Sequence, residues 1–312
     1  MMRRPLRDLI IPAIKRDRRW SIAVYAGDSP FSLSPPLGVV NPVLRARDVT
    51  DIRARYVADP FMIRKASRWY MFFEVLDEKS GLGKIAYADS DDALSWTYKG
   101  LVLEEPFHLS YPYVFECDAE VYMVPEAAGT MAVGLYRAVQ FPIRWARVAE
   151  LLVGKPYCDS SLLHVRDAWW LFTSAVPERN DTLLLFRADR LEGPWIEHPK
   201  SPIVNHNPHL ARPAGRVFEC DGRLFRYAQD DAPWYGRQVW GLELTQLSEL
   251  EYSEKPVSED PILRRSRFGW NSLGMHHVDP HRIDRNRWIA CVDGHRNAWT
   301  NSVAGKSIEW GR

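Results

Sequence analysis

No stretch of the 312-residue chain approaches the roughly 20 consecutive apolar residues that a membrane-spanning helix needs. Cysteine is sparse, and Cys117, Cys158, Cys220 and Cys291 stand far apart without a C-x-x-C pair, which argues against both a zinc site and a disulfide scaffold. An excess of either charge is missing too. The net charge is +1, with none of the basic excess that phosphate-backbone binding shows, so nucleic acid is not an expected partner. The start, MMRRPLRDLIIPAIKRDRRW, is basic, but its short apolar run over 9–14 is broken by Pro12 and lacks a small-residue cleavage site. A cytoplasmic protein is expected, with a solvated basic arm over 1–19 and a single domain over 20–312. Long helical patterns are nearly absent; RRPLRDLIIPAIKR is the one weak candidate.

Aromatic residues are plentiful: 13 Trp, 13 Tyr and 12 Phe suit a β-rich chain, and exposed rings of this kind stack on sugars. Five segments align without gaps: DPFMIRKASRWYMFFE (59–74), YPYVFECDAEVYMVPE (111–126), DSSLLHVRDAWWLFTS (159–174), AGRVFECDGRLFRYAQ (214–229) and VDPHRIDRNRWIACVD (278–293). Each is an apolar stretch, a polar turn and a second apolar stretch, which is a β-hairpin pattern. Cys117 and Cys220 fall in equivalent turns of the second and fourth copies, away from any central opening. A further pattern follows each hairpin, marked by Trp96, Trp145, Trp195 and Tyr252, the tryptophans 49 and 50 residues apart. Four strands per roughly 50 residues is a propeller blade. The fifth hairpin has too little chain after it for two more outer strands, whereas WSIAVYAGDSPFSLS near the start matches a third-strand pattern. The expected fold is therefore all-β: a five-bladed β-propeller whose ring is closed by N-terminal strands completing the last blade. Two stacked β-sandwiches explain neither the five-fold alignment nor the incomplete ends.

In a blade, the start of strand one and the end of strand two lie at the same end of the central channel. The alignment places Asp59, Tyr111, Asp159, Ala214 and Val278 in one column there, with Arg212, His277 and Asp279 beside them. Glu74, Glu126, Ser174, Gln229 and Asp293 form the other column, with Asp230 next in line. Clustered carboxylates raise one another's pKa, so that one is protonated while another is ionised near neutral pH. Glycoside hydrolysis needs such a pair.

At VADPF…WYMFFE and DSSLLH…WWLFTS the chain resembles the five-bladed propellers of family 43 glycoside hydrolases and their relatives. The resemblance implies a general base at Asp59 and a substrate-orienting carboxylate at Asp159. The general acid of that family is a Glu opening blade four, where this chain has Arg212, Pro213 and Ala214 instead. Most of the chain, in LSYPYVFECDAEVYMVPEA, LYRAVQFPIRW, LEGPWIEHPKSPI and RPAGRVFECDGRLFRYAQDDAPWYGRQV, is similar to the propeller at the N-terminus of plant glucosamine inositolphosphorylceramide transferases and its stand-alone bacterial relatives. The resemblance covers the propeller and not the transferase domain that follows it in the plant proteins.

The expectation is a glycoside hydrolase-like site acting on a carbohydrate or glycoconjugate, with Asp59 as base or nucleophile and Asp159 orienting. Column position makes Glu126 or Glu74 the proton donor. Arg212 stays charged at any working pH and so fits a clamp for an acidic or phosphorylated sugar. Tyr111, Gln229, Asp230, His277 and Asp279 would line the funnel, and Trp234, Tyr235, His206 and His209 its rim. No cofactor is required. In GMHHVDPH, alternation allows at most His277 and Asp279 on one face, which disfavours a closed zinc site. The hydrolase resemblance implies an axial calcium or other cation at His277. GLGKIAY, at 81–87, lacks phosphate-loop spacing and reads as a turn. A non-catalytic glycan-binding propeller serving polysaccharide or glycolipid assembly stays open as the alternative, as does the oligomeric state. A protein-interaction ring has less support.

Overall fold

The V-F-E-C-D repeat is explained by its turns. Asp118 and Ala119, and likewise Asp221 and Gly222, have positive φ (51° and 64°; 50° and 76°), the paired left-handed geometry of a tight two-residue hairpin. Cys117 and Cys220 precede these turns, their thiols 3.6 and 3.7 Å from the next aspartate. All four cysteines are free.

The computed structural model describes residues 13–175 and 179–302, with side chains omitted at 13–16 and 299–302. The chain begins with β1 (Ala13–Ser29) and β2 (Ser32–Ser34). Blade one is β3 (Ala54–Lys65), β4 (Arg68–Asp77), β5 (Gly83–Ser90) and β6 (Thr97–Leu103). Blade two is β7 (Ser110–Cys117), β8 (Glu120–Glu126), β9 (Ala132–Gln140) and β10 (Arg144–Val153). Blade three is β11 (Cys158–Val165), β12 (Ala168–Ser174), β13 (Leu183–Ala188) and β14 (Ile196–Glu197). Blade four is β15 (Phe218–Cys220), β16 (Arg223–Asp230), β17 (Gln238–Leu247) and β18 (Tyr252–Pro256), with β19 (Leu263–Arg264) also paired to β17. Blade five is β20 (Val278–Asp284) and β21 (Arg287–Ser302), followed in the sheet by β1 and β2. The N-terminal strands thus close the ring, as the incomplete ends require.

Both faces of a blade are covered by its neighbours, so period-two alternation sorts residues between two cores instead of between core and solvent. On β4, Met71, Phe73 and Val75 pack with Ile22, Val24 and Ile289 of blade five. Phe72 between them packs with Val114 and Met123 of blade two. This produces the run WYMFFE. The repeated tryptophans sit where strand three passes to strand four, Trp96 and Trp195 just before the fourth strand and Trp145 at the start of β10. Each indole N–H donates to a carbonyl just upstream: Trp96 to Ala93 (3.1 Å), Trp145 to Pro142 (2.9 Å) and Trp195 to Leu191 (3.1 Å).

The weak helical candidate is corrected where it is described. Residues 3–12 lie outside the described residues, but Ala13 onwards is strand, paired with β21 from Ala13↔Ser302 to Gly27↔Trp288. The ladder supplies partners that a four-residue remnant after Pro12 could not supply for itself. Among the described residues no helix is long and apolar enough to cross a membrane.

Candidate functional site

Blades one to three share a bulge at the start of the innermost strand. Pairing skips between Ala58 and Phe61, Ser110 and Tyr113, and Cys158 and Ser161. Within these bulges Asp59, Tyr111 and Asp159 all have positive φ (52°, 45° and 50°). Aspartate tolerates this conformation, but tyrosine needs compensation from its surroundings. The Tyr111 hydroxyl accepts from Gly215 N–H (2.7 Å), donates to the Gly215 carbonyl (3.0 Å) and lies 2.9 Å from Ser161 Oγ. Tyr111 is fully buried and ties blades two, three and four together, so it forms the floor of the site. Blade four departs from the gap-free alignment. Pro213 bridges Ala228, and regular pairing resumes only at Phe218↔Phe225.

Two charged clusters converge at this end of the channel. In the first, Arg212 Nε donates to Asp159, Nη1 to Asn180 (2.9 Å) and Nη2 to Glu126 (3.4 Å). Its guanidinium lies 5.3 Å from the Tyr235 ring centre. Glu126 also accepts from Asp159 N–H (3.0 Å), and Gln229 donates to Asp159 (2.8 Å). Burial opposes ionisation of Asp159, but Arg212 and a hydrogen bond from Glu126 hold its pKa below the ordinary value. Burial and the charge on Asp159 push Glu126 well above the usual range. The two neighbours are thus driven to opposite protonation states.

In the second cluster, His276 Nδ1 lies 2.8 Å from Asp293 and Nε2 lies 3.7 Å from Asp59. Asp293 also accepts from Asp59 N–H (3.0 Å), and Asp59 accepts from Tyr111 N–H (3.3 Å). Burial alone would lower His276; Asp293 reverses this and pushes it up to about 9. Burial raises Asp59 well above its ordinary value, with His276 opposing and Asp293 and Glu74 reinforcing the shift. Asp59, His276 and Asp293 bring potential ligand atoms within 4.8 Å of one another. A metal held there would need that imidazole neutral, in competition with the carboxylates that favour its protonated form. Glu74 stands nearby, 3.4 Å from the Tyr56 hydroxyl and 3.2 Å from His108 Nε2.

The site therefore brings together Asp59, Asp159, Glu126, Glu74, Arg212, Gln229 and Tyr235. It does not bring in Asp230 or Asp279. Asp230 is occupied as an anchor of the blade-four loop, accepting from Gln238 (2.7 Å), Arg237 (3.2 Å) and Trp240 (3.2 Å) and pairing with His209 (2.8 Å). Asp279 is wholly buried and bound to Arg216 (2.7 Å), Met62 N–H (2.6 Å) and His281 (2.9 Å). Trp234 is half-buried and donates to the Leu273 carbonyl (3.1 Å), and His206 is exposed beside Asp181. His277 is fully buried, edge-on to Phe61 and Tyr111, and neither ring nitrogen has a partner. Burial pushes it down to about 4.

Sequence reasoning missed His276, Asn180 and Trp20, which stacks on His276 at 3.9 Å. Alternation favours His277 only if GMHHVDPH is strand throughout, yet β20 starts at Val278. Two adjacent histidines immediately before a funnel position were the available signal.

The chain is a five-bladed propeller with buried carboxylates at one mouth, a fold that glycoside hydrolase propellers share. The catalytic domain of the Coprinopsis cinerea family 62 α-L-arabinofuranosidase aligns with a TM-score of 0.59 at 13% identity, covering 94% of this chain and 93% of that one. Zg3597, a family 117 glycoside hydrolase from Zobellia galactanivorans, aligns with a TM-score of 0.52 at 13% identity, covering 77% and 84%. These likenesses concern the fold. Over residues 14–295 the chain matches the family described as glucosamine inositolphosphorylceramide transferase 1, N-terminal, and it belongs to that family. It is 35% identical over 298 residues to glucosamine inositolphosphorylceramide transferase 1 of Oryza sativa subsp. japonica, covering 89% of this chain and 40% of that protein. The chain thus spans about two-fifths of the length of such relatives.

Proposed function

We propose that the mouth acts on a glycosidic bond of a glycoconjugate by acid–base chemistry. Glu126 holds the proton for the leaving oxygen. Asp59, whose carboxyl burial raises and His276 draws back toward the ionised form, is the base or nucleophile. Asp159, kept ionised by Arg212, orients the sugar and fixes the proton on Glu126. The carrying observation is that Arg212 bridges both Asp159 and Glu126 while their pKa values move in opposite directions. Environments that separate two neighbouring carboxyl groups in this way support Glu126 as the protonated partner and Asp159 as the ionised one. The base role of Asp59 rests on its place at the start of the first repeated hairpin.

The contacts do not favour Arg212 as a clamp for an acidic sugar. Its charge is already met by Asp159, and three of its N–H groups are engaged within the protein. The sugar in the mouth is therefore neutral or carries an amine. The glucosamine and inositolphosphorylceramide in the relatives' name suit such a glycoconjugate. His277, buried with two orphaned nitrogens, is the residue that would hold an axial cation, which would supply positive charge beneath the acids.

Asp59→Asn and Glu126→Gln are expected to lower kcat/KM toward aryl and inositol glycosides at least about 100-fold, the usual range for removing a general acid or base. Circular dichroism and thermal melting should report an intact fold. Turnover unchanged in both variants would overturn the assignment. Because Arg212 fills the place of the hydrolase acid, a binding-only propeller is the second reading. Glycan binding without turnover by the unsubstituted protein would favour it.

A further inference from the structure

The acid-rich mouth has a neighbour of opposite charge. A cleft of about 380 Å³ lies beside β1 and β21, lined by Arg19, Arg45, Arg47, Arg55 and Arg296 together with Trp20. Two carboxylates answer these five guanidiniums among the described residues. Asp17 pairs with Arg55 at 2.6 Å and lies 3.5 Å from Arg19; Asp48 lies 3.9 Å from Arg47. Arg45 and Arg296 have no carboxylate within ion-pair distance in the described part of the chain; burial and the charges of Arg47 and Arg296 act against that of Arg45, and Asp48 offsets them only in part. Crowded guanidiniums repel unless an anion lies between them, and their planar forks match phosphate oxygens.

The position of the cleft gives this charge a use. Trp20 lines it and stacks on His276, whose Nε2 is 3.7 Å from Asp59. The basic cleft and the acidic mouth therefore share a wall made of two stacked rings. A ligand spanning both would carry a sugar at one end and an anion at the other.

We propose that the arginine cleft binds a phosphate group of the glycoconjugate whose sugar enters the mouth. This rests on the reading of the mouth as a carbohydrate site and deepens it: the substrate class is a phosphoglycoconjugate. The phosphate belongs either to a lipid headgroup or to a free sugar or inositol phosphate. The mouth selects the glycan and the cleft selects the phosphate.

Inositol 1-phosphate titrated by calorimetry is expected to bind the full chain and to bind Arg45→Ala/Arg296→Ala at least about tenfold more weakly. Arg45→Lys/Arg296→Lys should recover part of the loss, and both double variants should melt like the parent because these side chains are not buried. Sedimentation with phosphatidylcholine vesicles, plain or doped with phosphatidylinositol, separates the two sources. Recruitment by the doped vesicles that inositol 1-phosphate competes away assigns a lipid headgroup; binding of the free phosphate alone assigns a soluble one. No binding by the parent protein, or equal binding by parent and Ala double variant, would overturn the proposal. Asp59→Asn and Glu126→Gln should leave phosphate binding intact, and the Arg double variant should still turn over a simple aryl glycoside. Failure of the cleft is thereby distinguishable from failure of the mouth.

Discussion

His276 is a fully buried histidine whose neighbours are two carboxylates and two aromatic rings. Its pKa is raised in the fold to about 9 from an ordinary 6.5, so it binds its proton more tightly folded than unfolded. The resulting stability is fully present below about pH 6.5 and is lost as pH rises through about 9. Asp293, lowered from 3.8 chiefly by His276 against the cost of burial, works with the opposite sign. Its contribution is present above about pH 4 and is lost as pH falls through its folded value. The melting temperature of the parent protein should therefore decline between pH 6.5 and 9.5, and that of His276→Asn should be flatter over the same interval. Parallel curves would show that the histidine is not held protonated. Asp59 and Asp159 were legible in the sequence because each opens a repeated hairpin. His276 was not, since its direction is set by Asp293, a contact that no local periodicity encodes.

Among the elements, the seam between blades four and five is irregular and closely packed. Gly215 has φ +137°, and a Cβ placed on it would sit 1.9 Å from the Val278 carbonyl oxygen. Ala214 meanwhile accepts from Val278 N–H at 2.8 Å. Gly215→Ala must push β20 away from blade four, and we expect a loss of about 3 kcal/mol or more, or failure to fold. Tyr111→Phe probes Gly215 more gently from its other side, where blades two, three and four meet. It leaves the Gly215 N–H without its hydroxyl acceptor in a fully buried place, for a cost of about 1–3 kcal/mol. Urea denaturation would measure both, and parental stability in Gly215→Ala would refute this close approach. The hairpins and turn tryptophans of the blades were readable because every blade repeats them. The wide bulge of blade four was not, because a gap-free alignment has no means of displaying residues that leave the ladder between Pro213 and Phe218.

For the whole molecule, the decisive contact is the one between its two ends. β1 pairs with β21 along a ladder that starts at Ala13↔Ser302 and ends at Gly27↔Trp288, and Ile22 and Val24 lie in the core shared with blade one. Without β1 and β2, blade five would keep only β20 and β21, and a two-stranded ribbon is marginal on its own. β21 would become a long unpaired edge, which invites aggregation. The loss would also reach the site, because Trp20 on β1 packs against His276 and forms part of the arginine cleft. A chain lacking residues 1–34 is therefore expected to be insoluble, or to lose the cooperative thermal transition, and to bind neither glycan nor phosphate. Supplying 1–34 as a separate peptide during refolding should restore part of the soluble ring if the ladder is what closes it. A truncated chain that melts cooperatively within a few degrees of the parent would mean that the other four blades hold the ring closed without it.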